Sequence, residues 1–104
     1  MHPNREIVAE RIDGIEAEMK RAGVWQDAPL PESAYEFNQA FAMDTMAFQQ
    51  WLQFVFIPNV REIIASKGEF PSESMVGTQA IREFDGVPEF ETLVGLLCRF
   101  DELF

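Results

Sequence analysis

DTMAFQQWLQFVFIP, residues 44–58, decides the fold. At 100° per residue, Trp51, Leu52, Phe54, Val55, Phe56 and Ile57 cover almost the whole circumference of a helix, and Gln53 is the one polar group among them. A helix that is apolar all round must be covered all round. This stretch is therefore the centre of a bundle, or it presents a face to another chain. Asp44 or Thr45 suits its N-cap, because a short oxygen-bearing side chain accepts from a free backbone N–H there. Pro58 cannot donate to the carbonyl of Phe54 and its ring crowds that turn, so a kink or restart is expected. Val60, Ile63 and Ile64 then resume helical spacing, and Gly68 ends the segment.

Upstream, Val8, Ile12, Ile15 and Met19 recur at spacings of four, three and four, one apolar stripe at helical period. Pro3 and Asn4 suit the start of this helix, Glu6 sits favourably in its first turn, and Gly23 suits a left-handed end. The expected helix covers residues 4–22, with Glu10, Arg11, Glu18 and Arg21 away from the stripe. In residues 26–43, Asp27, Pro29, Pro31, Glu32 and Ser33 break any regular pattern. Phe37, Phe41 and Met43 are nonetheless apolar, which a solvated linker would not be. The expectation is an ordered connection that covers the outer strip of the central helix, with Phe41 mostly buried and an apolar remainder exposed beside it.

Downstream, Ser72 or Ser74 can cap a helix over residues 73–84, weakened by Gly77. A last helix begins near Pro88 and carries Phe90, Leu93, Val94, Leu97, Phe100 and Phe104 as its apolar stripe. The fold class is all-α: a four-helix bundle forming a single domain over residues 1–104, with a long ordered connection between helices 1 and 2.

Charge narrows the function. Eight basic residues face eighteen acidic ones, a net charge of −10 over 104 residues. No Lys or Arg lies between Ala22 and Val60. Direct nucleic-acid binding needs basic side chains that displace counterions from phosphate, so it is not expected, and neither is an anionic membrane surface. A partner with a basic patch would be attracted. A single cysteine, Cys98, permits no disulfide within the chain. The opening residues MHPNRE carry no apolar run for a signal peptide, and the apolar stretch Phe54–Pro58 is too short for a bilayer, so a cytoplasmic location without membrane attachment is expected.

The residues offer little chemistry. His2 is the only histidine, and it sits at a terminus that should fray. Cys98 has no such base beside it and reads as a small, buried or half-buried hydrophobe. Glu6, Glu10, Asp13 and Glu16 line up as a solvated face. No Glu-x-x-His pair and no glycine-rich phosphate loop is present. No catalytic residue, cofactor or metal is therefore expected, and the protein should not be an enzyme. The aromatics carry more: ten Phe, two Trp and one Tyr make 12% of the chain. Most of them read as core, and the whole set either as core alone or as core with a binding face: Trp25, Phe37, Phe41, Trp51 and Phe56 are many for one small interior, and surface aromatics and methionines anchor protein interfaces.

The run from Phe41 to Pro58 resembles the signature of the YqcC-like family of small bacterial proteins. The pattern is F-x-M-D-T-M, a gap of four, W-L-Q, then I-P; it falls on Phe41, Met43, Asp44, Thr45, Met46, Trp51, Leu52, Gln53, Ile57 and Pro58. Trp25 and the closing run Leu97-x-x-Phe100-Asp101-x-Leu103-Phe104 fit as well. The resemblance implies a helical bundle and an accessory role beside tRNA pseudouridine synthase C. Physically, Gln53 needs a hydrogen-bond partner if buried, while Met43, Met46 and Trp51 offer an adaptable apolar patch. The candidate partner-binding or motif residues are thus Trp25, Phe41, Met43, Asp44, Met46, Trp51, Gln53 and Pro58.

Two other functions stay open. One is a small-molecule-binding bundle with an aromatic pocket near Trp25 and Trp51. The other is a homo-oligomer that hides the central helix.

Overall fold

The stripe Val8, Ile12, Ile15 and Met19 is wholly buried on α1, Arg5–Arg21, in a computed structural model that describes residues 4–104. Pro3 and His2 lie outside the described residues. The Asn4 side chain accepts from the Glu6 N–H at 2.7 Å, the expected cap. At the other end Gly23 takes φ 77°, and Val24 N–H reaches back to the Met19 carbonyl. A residue without Cβ makes that left-handed turn without strain. One expectation fails here. Glu18 is buried, not on the solvated side, because Arg21 one turn on lies against it and donates from Nε at 2.7 Å. That hydrogen bond holds the Glu18 carboxyl below the ordinary range.

The central helix α2 runs Phe48–Trp51, widens into a π-helical stretch Leu52–Phe56, and continues Ile57–Ser66. In the wide turn the Ile57 N–H bonds to the Leu52 carbonyl, five residues back. The missing N–H of Pro58 is thus absorbed by a change of pitch, and the helix neither ends nor restarts. Neither Asp44 nor Thr45 caps α2, contrary to expectation. The cap position is Ala47, whose N–H is met by Gln50 Oε1 at 2.8 Å. Lys67 closes the helix in a left-handed conformation, and the Arg5 guanidinium bonds the Ile63 and Gly68 carbonyls at 3.1 and 2.6 Å.

α3 spans Val76–Glu83, starting later than expected. Its cap is not a serine of its own. The Asp101 carboxylate, at the end of the last helix, accepts the N–H groups of Val76 at 3.0 Å and Gly77 at 2.7 Å, and the Ser74 hydroxyl. A carboxylate there meets both the orphan donors and the positive end of the helix dipole. A 3-10 turn, Pro88–Phe90, leads into α4, Glu91–Asp101.

α1 packs against α2 and α4, and α3 lies along α4. Gly77 makes that last contact close. A Cβ there would fall 2.6 Å from the Cα of Cys98. The four helices share one core, with Leu52, Leu93, Leu97 and Phe100 at its centre. No strand occurs among the described residues.

Candidate functional site

The 26–43 connection is ordered against α2, and the motif residues are what hold it there. Gln53, buried on α2, accepts the Gln26 N–H at 3.0 Å and donates to the Gln26 carbonyl at 2.7 Å. One side-chain amide so satisfies both backbone groups of the residue that opens the connection. Gln50 adds a bond to the Gln26 side chain at 3.1 Å. The Asp44 carboxylate accepts the N–H groups of Asn38 at 2.9 Å and Gln39 at 3.4 Å, and those backbone bonds hold its pKa below the usual aspartate range. The Thr45 hydroxyl donates to the Ala34 carbonyl at 2.6 Å. Asp44 and Thr45 thus tie the loop to itself, a job that helix-start statistics did not suggest.

The loop reverses through a strained pair. Phe41 has φ 58° and Ala42 φ 53°, both left-handed. Such a conformation costs a residue with a Cβ roughly 1–2 kcal/mol. It is offset by packing. Ala42 is fully buried and, with Ala34 and Met46, forms a small second core that Leu30, Phe37, Trp51 and Val55 complete. Met46 therefore belongs to this interior and not to an exposed patch. Phe41 is partly buried, its ring edge-on to Trp51 at 4.9 Å and to Phe48 at 5.9 Å.

Trp51 is the junction of the aromatics. It stacks on Phe48 at 5.8 Å and on Phe56 at 5.5 Å. From Phe48 the contacts pass to Phe84 and Phe90; from Phe56 they pass to Phe100, Phe104 and Phe70. Most of the aromatic excess is therefore one ladder through the core. Trp25 stands apart from it, half-buried under the Lys20 ammonium at 5.1 Å. Pro58 is exposed on α2.

What remains at the surface is apolar in places. Tyr35 and Met43 of the connection are exposed, as are Met75, just before α3, and Ile81 within it. Met43 Sδ lies 3.6 Å from the Gln79 amide, one helical turn from Met75. Beside Met75 opens a groove of about 260 Å³, walled by Trp51, Phe56, Phe70, Phe100 and Phe104. Trp25 does not reach it. A second groove of about 310 Å³ lies at the turn between α3 and α4, lined in part by Ile81, Asp85 and Glu91. Among the described residues no cluster of three His, Cys, Asp or Glu is placed to hold a metal, and no helix is long and apolar enough to cross a membrane. Burial, with the charges of Asp101 and Glu102, pushes the Cys98 thiol up, away from the thiolate a nucleophile needs.

Fold and motif together define a small all-helical domain whose signature side chains fasten a loop to a helix. A family model described as tRNA pseudouridine synthase C, DUF446, matches residues 7–103, and the chain belongs to that family. It is 26% identical over 102 residues to an uncharacterised protein of Haemophilus influenzae, covering 95% of this chain and 93% of that one. It is 34% identical over 64 residues to the uncharacterised protein YqcC of Escherichia coli, 59% of this chain and 56% of that one. It is also 31% identical over 64 residues to a protein of Pectobacterium carotovorum named tRNA pseudouridine synthase C, covering 62% of this chain but only 17% of that one. No solved structure matches.

Proposed function

We propose that the protein is a non-catalytic module that binds a tRNA pseudouridine synthase and assists it. The observation that carries this reading is the Pectobacterium relative. There, a segment similar to this chain makes up 17% of a far longer protein that bears the synthase's name. A segment that shares a chain with an enzyme in one organism is a natural partner of it in another.

The chemistry of the chain agrees. Its net charge of −10 repels tRNA phosphates. Lys20, Arg21 and Arg61 are engaged with carboxylates, and Arg5 with the end of α2. An enzyme that holds tRNA carries a basic surface, and an acidic module is steered towards it.

Titration calorimetry of the purified protein against the synthase of the same organism tests the reading. A complex that weakens with rising salt is expected. In the same preparation the protein alone should convert no uridine in a tRNA transcript and should not shift tRNA at physiological salt. Absence of any complex at micromolar concentrations would overturn the proposal. A small-molecule role is less well supported, because the aromatic groove, at about 260 Å³, is smaller than most ligand sites. Sedimentation of the free protein reports whether it self-associates.

A further inference from the structure

We infer that the aromatic groove beside Met75 docks a segment of the synthase bearing one or two large apolar side chains flanked by lysine or arginine. The inference rests on the accessory reading above and assigns the surface that performs it. Three observations converge. The groove is walled by rings from distant parts of the chain, Trp51 and Phe56 of α2, Phe70 of the loop before α3, and Phe100 and Phe104 at the end of the chain as described. Trp51, Phe70 and Phe104 are only partly buried, so the folded domain leaves them unfinished surface. Met75 is 56% exposed on its rim, and Met43, 52% exposed, touches the side-chain amide of Gln79, a residue one helical turn from Met75. Flexible thioethers beside half-covered rings form a surface that adapts to an incoming apolar group.

Size and charge specify the occupant. A cavity of about 150 Å³ accepts a benzene-sized ring, so about 260 Å³ admits one or two large side chains and not a whole helix. Glu73 is the charged residue of the wall, and exposed Glu69 precedes Phe70; the Arg5 guanidinium over the Phe70 ring is already engaged by the Ile63 and Gly68 carbonyls. An acidic segment would be repelled by these carboxylates and by the net charge of the chain, whereas cationic flanks meet them.

The test compares four proteins by calorimetry against the intact synthase: wild type, Met75→Glu, Glu73→Lys and Ile81→Glu. All three substituted side chains are exposed, so the fold should survive, and circular dichroism melts check that it does. Met75→Glu should weaken binding about tenfold or more, as loss of an interface anchor does. Glu73→Lys should weaken it less and flatten its salt dependence. Ile81→Glu, in the other groove, should bind like wild type. If wild type binds and both groove variants bind equally well, the groove assignment falls while the accessory role stands. If Ile81→Glu is the variant that loses binding, the partner sits at the α3–α4 turn and the assignment also falls. If wild type does not bind at all, both fall. Self-association of the free protein that Met75→Glu abolishes would make the occupant a second copy and would likewise overturn it.

Discussion

Gln53 and Trp51 sit two residues apart on α2 and do opposite jobs. Gln53 is the polar group through which the connection is fastened, and its amide must both donate and accept. Gln53→Glu keeps the shape but sets a carboxylate oxygen against the Gln26 carbonyl. A loss of about 1–3 kcal/mol is expected, the cost of an unmet buried polar group. Urea unfolding would read it, and limited proteolysis should cut faster within residues 26–43. Trp51→Ala removes the ring on which Phe41, Phe48 and Phe56 meet. Truncating a large packed aromatic costs about 3–5 kcal/mol; coincident melts of mutant and wild type would show that the ladder bears no weight. The need for a partner at Gln53 was legible in the sequence, since it is the lone polar residue in an apolar turn. The partner itself was not, because Gln26 lies 27 residues away. Asp44 was misread for a related reason. An aspartate before a helix satisfies the rule for a cap, and nothing local says that its oxygens turn back to Asn38 instead.

The elements show the same division. α1 was readable almost to the residue, and α4 in its existence and its stripe though not in its bounds, because each carries a clean apolar stripe at helical spacing. α3 was not. Its eight residues are closed by a carboxylate from another helix, and Gly77, which propensity counts against a helix, is what lets α3 approach α4. Gly77→Ala therefore tests packing against propensity. Propensity alone predicts a gain of up to about 1 kcal/mol. The added Cβ would meet the backbone of Cys98 at 2.6 Å, and rigid backbone cannot yield as a side-chain tip can. A net loss of about 1–3 kcal/mol is expected, as for other overpacked cores. A raised denaturation midpoint in the variant would show that α3 can stand off from α4 at no cost.

For the molecule as a whole, pH is the lever that reaches many of its ties at once. Glu16, held by Lys20 and Arg61, Glu18, held by Arg21, and Asp44, held by backbone N–H groups, all have lowered pKa values in the folded state. The unfolded chain then binds protons more readily, so stability rises with pH through that interval. These contributions are complete above the ordinary carboxylate range, about pH 4–4.5, and fade as pH falls through the lowered values. Asp44 is exposed, Glu16 is partly exposed, and the Arg21 that holds buried Glu18 is itself exposed, so each effect is small, and salt should shrink the two ion-paired ones further. Denaturant midpoints measured from pH 7 down to pH 3 should hold steady at first and then fall. A midpoint that climbs steadily into acid would show that relief of the net negative charge outweighs the lost ties. Overall acidity and the four-helix plan were legible from composition and period alone. The groove was not, since it is assembled from three separate stretches whose meeting depends on how the helices cross.

The widened turn of α2 bears on how the chain tolerates changes in length. A π-helical turn is in effect an α-helix carrying one surplus residue. The surplus is taken up within Leu52–Phe56, so residues 57–66 keep their bearing on α1. Losing one residue within that turn would let the helix relax to ordinary pitch with both flanks still in phase. Losing one anywhere else in α2 would swing everything beyond it by about a quarter turn. In a bundle where nearly every bearing of the central helix is occupied, Leu52–Phe56 is thus the natural point of give, and it lies between Trp51 and Pro58, at the apolar centre of the fold.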